Sequence, residues 1–344
     1  MTMLADISLT ATIVLFVTSA GLIAYCGARL TALADRLADV TGLGEAVAGG
    51  LLLGATTSLP GIVTSVAAAR DGLPELAVSN ALGGIAAQTV FLAAADVSYP
   101  GVNLEHAAAS TPNVMQGILL IVILSIALLT MNSPEVSVLG IHPVTPLIVL
   151  TYIYGLHMVR ESHHYPMWRP RMTRETRLDE PRRESFQGSL SAVWLRFGAL
   201  AALLVLFGWL VLLSAMAILR KTGLPETIVG GLFTAVATSL PELVTSLAAV
   251  RQGALTLAVS GVLGGNAFDT LFLAMADVAY REGSIYHAIT QRQSFLLTLT
   301  ILMTAILLMG LVRREKRGFA NIGFESCAIT VLYVGAFAIL IVYS

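Results

Sequence analysis

The sequence predicts an all-α integral membrane protein of ten transmembrane helices arranged as two inverted five-helix repeats. Three observations predict it. Composition is the first: 56% of the 344 residues are hydrophobic and 12% charged, with a mean hydropathy of +0.81, whereas soluble domains carry about 25% charged residues. The second is length. A spanning helix needs about 20 apolar residues, and ten runs approach that. The third is a duplication: residues 41–99 and 222–280 align without a gap and share 34 identities in 59 positions, at a constant offset of 181. Ala, Leu and Val matches come easily in so apolar a chain. Matches at Thr57-Ser58-Leu59-Pro60, Arg70, Gly72, Gly83-Gly84 and Asp96 do not.

The apolar runs predict helices at about 8–27, 44–69, 74–97, 114–131 and 140–159, and at about 191–218, 225–250, 255–279, 294–312 and 323–343. Met1 to Asp6 carry no basic residue, so the first run reads as a retained helix and not a cleaved signal. The halves are expected at 1–160 and 190–344. A basic linker at 161–189 joins them and contains Arg169, Arg171, Arg174, Arg177, Arg182 and Arg183. Lys and Arg favour the cytoplasmic side. With both termini outside, the inside loops hold 15 of them and the outside loops 5, so the linker is expected in the cytoplasm, and the cell (plasma or inner) membrane is the expected location. Five helices separate a residue from its copy. An odd number reverses direction, so the repeats are inverted, an arrangement that places a site near the bilayer midplane.

The net charge of −1 says nothing about nucleic acid, but no basic stripe with interleaved aromatics occurs, and no nucleic acid is expected as a partner. Cys26 and Cys327 lack metal-ligand spacing and read as packing residues. No His-Glu-x-x-His occurs, and all six histidines fall at helix ends or in loops, which argues against an intramembrane enzyme. No cofactor is expected. The lipid bilayer and small inorganic cations are the expected partners, and a monomer is compatible with this.

The chemistry concentrates in 238–270. Pro241, like Pro60, removes the helical partner of the carbonyl four residues back, at Ala237 and Thr56. In hydrocarbon such a carbonyl must line a cavity or meet a ligand. Thr238, Ser239 and Glu242 share one helical face. Asp269 follows on the next helix. At 1.5 Å per residue, Glu242 lies about 13 Å and Asp269 about 22 Å from the turn between them, so their approach needs a tilt, or a bend at Gly264-Gly265. An unpaired buried carboxylate costs several kcal/mol at this depth, and no Lys or Arg lies centrally in any helix. A cation or proton is the expected partner. An all-oxygen set suits Ca²⁺, Na⁺ or H⁺, and soft metals would want His or Cys. Gly49-Gly50, Gly83-Gly84, Gly230-Gly231 and Gly264-Gly265 read as close-packing positions. Asp96 and Asp277, late in their helices, read as hydrated interfacial charges, with Arg281 near the second. Glu45 and Glu226 open helices, where the dipole favours them.

These segments resemble the α-repeats of the cation/Ca²⁺ antiporter superfamily, which includes the sodium/calcium exchangers. Its repeats read roughly G-T-S-L-P-E and then G-S-N-x-x-N/D. Here the second repeat gives Ala237-Thr238-Ser239-Leu240-Pro241-Glu242 and Gly264-Gly265-Asn266-Ala267-Phe268-Asp269. The resemblance implies a sodium/calcium exchanger-like fold and a secondary active antiporter that exports Ca²⁺ against Na⁺ or H⁺ by alternating access. It implies Glu242 and Asp269 as ion-binding carboxylates, oxygens from Thr57, Ser58, Thr238 and Ser239, and Gln88 at the position equivalent to Asp269.

The first repeat departs from that pattern. Gly61 replaces the family glutamate, and Gly84 and Gly265 replace its small polar residue. One central carboxylate is missing, which implies an altered coupling stoichiometry. The alternatives are a monovalent cation/proton antiporter that has lost Ca²⁺ selectivity, and a non-transporting scaffold descended from an exchanger.

Overall fold

Each Thr-Ser-Leu-Pro segment interrupts a helix, and the chain is built around these two interruptions. The computed structural model describes residues 7–41, 54–99, 102–164, 167–171, 173, 190–316, 318 and 322–342. Helices dominate. The described residues contain no strand beyond an isolated bridge between Val138 and Ile141. In chain order the helices are α1 (Leu9–Thr41), α2 (Gly54–Thr57), α3 (Leu59–Arg70), α4 (Pro74–Ser98), α5 (Leu104–Ala107), α6 (Thr111–Met131), α7 (Val144–His164) and α8 (Leu190–Thr222). Then come α9 (Glu226–Ile228), a π-helical turn (Val229–Thr234), α10 (Ala235–Thr238), α11 (Leu240–Gln252), α12 (Leu255–Asp269), α13 (Leu271–Ala279), α14 (Gln291–Arg313) and α15 (Phe324–Val342).

Among the described residues seven helices are long and apolar enough to cross a membrane, or eight when Glu226–Thr238 and Leu240–Arg251, bent by 45°, count as one span. The expected run at 140–159 is the continuous helix α7, whose end carries His157, Arg160 and Glu161. The expected run at about 44–69 is described only from Gly54 onward. Glu45, Gly49-Gly50 and the linker arginines Arg174, Arg177, Arg182 and Arg183 lie outside the described residues. Helix α1 continues past its apolar stretch, Leu9–Leu30, to Thr41, while the apolar span of α8 takes in all of Leu190–Thr222.

Helices α4 and α12 form the centre, enclosed by α6, α14, α15 and the π-helical turn. The first and eighth helices pack on each other at one flank, around Ile23, Cys26, Leu30, Leu204 and Val211. From there α1 leans on α11 and α8 on α3. The outward surface is apolar, with Val14, Val17, Leu129, Ile153, Val331 and Ile341 exposed, while the interior holds many Ser, Thr, Asn and Gln side chains. That distribution suits lipid, where polar groups must be satisfied inside the protein.

Contacts recur at the 181-residue offset and do so reciprocally. Gly27 of α1 lies against Pro241, and Gly208 of α8 against Pro60. His106 Nδ1 is 2.7 Å from the Arg314 carbonyl, and His287 Nε2 is 2.8 Å from the Ser133 carbonyl. When residue i touches the copy of j, and j touches the copy of i, a two-fold axis relates the halves, as in an isologous interface.

The same symmetry reassigns Asp96 and Asp277. They are fully buried, not hydrated interfacial charges, and no described salt bridge joins Asp277 to Arg281. Asp277 accepts hydrogen bonds from Ile285 N (3.0 Å), His142 N (2.8 Å) and Thr145 Oγ1 (2.5 Å). Asp96 accepts from Leu104 N (2.7 Å), Gly323 N (3.3 Å) and Ser326 Oγ (3.0 Å). All three partners correspond at the offset. Each carboxylate thus caps the entry of a distant helix, α7 or α15. We expect Asp277→Ala and Asp96→Ala each to cost about 3 kcal/mol or more, because two buried backbone N–H groups lose a charged acceptor. Melting temperatures in detergent test this. Unchanged values for both variants would rule out the capping role. Glu226 acts across helices too: its Oε2 accepts from Leu76 N at 3.0 Å, capping α4 as well as opening its own helix.

Symmetry fails at Glu105, whose repeat counterpart is Tyr286. Glu105 is buried beside Asp96 and Glu325. Burial first, and then these two carboxyls, push its pKa well above the usual carboxylate range.

Candidate functional site

Proline decides where the site can form. Pro60 and Pro241 each occupy the first turn of a resumed helix, a position where the missing N–H costs nothing. They cannot continue the helix before them, so the chain breaks at Ser58 (φ −78°, ψ −6°) and Ser239 (φ −96°, ψ 7°). A slighter irregularity follows Asp269, where α12 gives way to α13 at Thr270; that residue keeps a helical backbone (φ −60°, ψ −25°), so Leu255–Ala279 runs on as one span. The bend considered at Gly264-Gly265 does not occur there. Those glycines lie inside α12, which runs to Asp269. Ahead of α10, the π-helical turn with Gly230 and Gly231 lets the chain pack backbone-to-backbone on α4.

The breaks converge on a pair of repeat equivalents. Gln88 Nε2 donates to Asp269 Oδ2 at 2.6 Å. Asp269 Oδ1 accepts from Ser58 Oγ of the other repeat at 2.6 Å. Gln88 Nε2 lies 3.4 Å from Ser239 Oγ, the reciprocal contact. The pseudo-two-fold axis therefore passes between Gln88 and Asp269. The Thr57 side chain hydrogen-bonds to the Glu242 carboxyl, again across the repeats. Thr57, Ser58, Gln88, Ser239, Glu242 and Asp269 are all buried.

Of the seven sequence-predicted side chains, six meet here. Thr238 is buried beside them, but its hydroxyl bonds back to the Thr234 carbonyl at 2.9 Å within its own helix. Among the described residues, buried Glu242 Oε2 and Gln88 Oε1 have no hydrogen-bond partner. Neither Glu242 nor Asp269 takes part in a salt bridge among the described residues. Nor, among those residues, do three or more His, Cys, Asp or Glu side chains group in a way that could hold a metal ion. The oxygen set is therefore two carboxylates with hydroxyls and one amide.

A supporting network escaped the sequence reading. Asn80 donates to Ser65 Oγ (2.9 Å) and the Gly61 carbonyl (3.3 Å) and accepts from Thr234 Oγ1 (2.7 Å), tying α3, α4 and the π-helical turn. Gln293 Nε2 donates to Ser79 Oγ (3.0 Å) and Thr227 Oγ1 (2.8 Å). The available signal was an amide inside an apolar helix. Repeat symmetry passed over it, because Gly261 stands at the position equivalent to Asn80.

The family described as sodium/calcium exchanger protein matches residues 11–158 and 191–343. A putative antiporter, CaxA of Alkalimonas amylolytica, is 26% identical over 283 residues, covering 81% of this chain and 82% of that protein. The structure of the sodium-calcium exchanger NCX_Mj soaked with 10 mM Na⁺ and zero Ca²⁺ aligns with a TM-score of 0.63 at 17% identity, covering 96% of this chain and 99% of that one. The H⁺/Ca²⁺ exchanger CAX aligns with a TM-score of 0.62 at 13% identity, covering 97% and 86%. At these identities the two structures speak to fold.

Proposed function

We propose, from the premise that this chain belongs to the sodium/calcium exchanger family, that it is a secondary active antiporter exporting Ca²⁺ in exchange for Na⁺ or H⁺. It is a multi-pass integral membrane protein and a transporter, not an enzyme. The observation that carries the proposal is the meeting of Glu242 and Asp269 with Thr57, Ser58, Gln88 and Ser239 across the pseudo-two-fold axis. Two buried carboxyls with no described basic partner have their charge to balance, and a hard cation supplies the balance through oxygen ligands. The Glu242 Oε2 and Gln88 Oε1 atoms that lack donors are acceptors suited to a cation.

Ser58, Ser239 and Thr57 supply hydroxyl oxygens in this reading, and Gln88 an amide oxygen. Thr238 contributes through its backbone, since its hydroxyl is committed. Access alternates because the two-fold relation gives each half a conformation the other can adopt. The basic linker faces the cytoplasm, both termini face outward, and the membrane is the plasma or inner membrane.

Ion-dependent thermal stabilisation of the purified protein tests the site. A ligand at 100 times its Kd stabilises the folded state by about 2.7 kcal/mol. Ca²⁺ is expected to raise the melting temperature, with Na⁺ competing and K⁺ and Mg²⁺ weaker. Stabilisation by Na⁺ and protons without Ca²⁺ would assign the protein to monovalent exchange. No response to any cation, together with no Ca²⁺ flux in proteoliposomes under a Na⁺ or pH gradient, would reject the proposal.

A further inference from the structure

Gly61 occupies the repeat position of Glu242, and the space a side chain there would enter is filled. A Cβ built on Gly61 would stand 2.6 Å from Cε2 and 3.2 Å from Cζ of Phe272. Phe272 is 3% exposed and lies three residues beyond Asp269, in the first turn of α13. Its ring meets Phe268 edge-on at 6.5 Å, and Phe268 meets Tyr152 edge-on at 6.1 Å. This aromatic file backs the site and holds the ring against the Gly61 backbone. The Gly61 carbonyl is itself engaged by Asn80. The missing carboxylate is therefore not a vacancy awaiting a side chain, because packed apolar surface stands in its place.

We propose that Phe272, seated against Gly61, limits the site to two carboxylates and so sets each load at two positive charges, one divalent or two monovalent cations crossing in each direction. This deepens the antiporter reading and rests on it. With Glu242 and Asp269 ionised the site carries −2. One divalent cation neutralises it, and so do two monovalent cations or protons. A form carrying net charge must take that charge through low-dielectric surroundings, which costs several kcal/mol. The neutral forms are the ones that change sides. One Ca²⁺ outward is then balanced by two Na⁺ or two H⁺ inward, and no net charge moves. A third carboxylate at position 61 would make the site −3. Neutrality would then require three monovalent cations, or a divalent with a monovalent, so each load would carry three charges and Ca²⁺ would cross only with a monovalent companion.

The test is Ca²⁺ flux in proteoliposomes, driven by a Na⁺ or pH gradient, with the membrane potential clamped by K⁺ and valinomycin. The equilibrium Ca²⁺ gradient is expected to stay constant with voltage, at a coupling ratio of two. One net charge per cycle would instead shift that gradient about 50-fold per 100 mV, and such a shift in the wild type would overturn the inference. Gly61→Glu with Phe272→Ala adds a carboxylate and removes the ring that would meet it. If this variant is monodisperse and transports, its Na⁺:Ca²⁺ coupling ratio is expected to rise to three, with one K⁺ or H⁺ accompanying each Ca²⁺ and no net charge moved. A transporting double variant that keeps a ratio of two with no companion ion would also overturn the inference. If the double variant fails to fold, the wild-type voltage measurement decides alone. Absence of any gradient-coupled cation flux in the wild type would instead reject the antiporter reading, and this inference with it.

Discussion

Asp269→Asn abolishes cation-coupled flux and cation-dependent stabilisation while leaving the fold intact; this is the expected result at the central side chain. Asn keeps the shape of Asp. Its carbonyl oxygen can still accept from Ser58 Oγ, which donates to Asp269 at 2.6 Å. Its amide then faces the Gln88 Nε2 donor, and a flip of the Gln88 amide presents Oε1, an acceptor otherwise without a partner. Packing is preserved and one negative charge is lost. Removing a hydrogen-bond partner of a metal ligand already costs about 10- to 100-fold in affinity. Removing a charged ligand should cost more than about 100-fold. Glu242→Gln should fall to a similar level, because either change leaves one carboxylate to balance a divalent ion. Flux and melting temperature are measured together. A variant that folds, transports Ca²⁺ at the wild-type rate and is stabilised by it as before would remove the carboxylate pair from the mechanism.

Gly83→Ala is expected to produce the largest loss of stability among single-methyl additions. The new Cβ would stand 2.6 Å from the Cα and the carbonyl carbon of Gly231, with the carbonyl oxygen closer still. Backbone cannot rotate away as a side chain can, so α4 and the π-helical turn must separate. Overpacking of a well-filled core costs about 1–3 kcal/mol and occasionally more, and this backbone contact should reach about 3 kcal/mol or more. Gln88 lies five residues further along α4, so the displacement also draws it from Asp269 and weakens cation binding. Gly84→Ala is the control. Its Cβ meets only Ser239 Oγ, at an ordinary 3.4 Å. Melting temperatures and size-exclusion profiles compare the two, and equal stability would show that the α4 contact with Gly231 is not tight.

Much of this was legible without coordinates. Low charge and repeated apolar runs determined a helical membrane protein, since lipid leaves few other ways to satisfy the backbone. The 34 matches at one offset exposed the duplication, and the expected odd number of intervening spans predicted an inverted arrangement. Pro60, Pro241, Glu242 and Asp269 stand out in sequence because each violates what an apolar helix prefers.

Other features were hidden for identifiable reasons. Helix α12 runs through Gly264-Gly265 to Asp269: glycine permits a bend, but packing decides whether one occurs. Asp96 and Asp277 looked like interfacial charges from their place near helix ends. Their partners, Ser326 and Thr145, lie 230 and 132 residues away, beyond the reach of local pattern. Thr238 shares a face with Glu242, yet its hydroxyl turned to its own helix, a choice among rotamers that spacing does not constrain.

Sequence by itself determined the kinds of groups present: two carboxylates, two broken helices, and a glycine where a third carboxylate would stand. Tertiary structure alone decided that Gln88 meets Asp269 on the pseudo-two-fold axis and that Phe272 fills the place beside Gly61. The physical reason is the same in both cases. Periodicity records which face of a helix is apolar. Contacts across the axis depend on how closely two backbones approach, which is set by the summed packing of every helix between them.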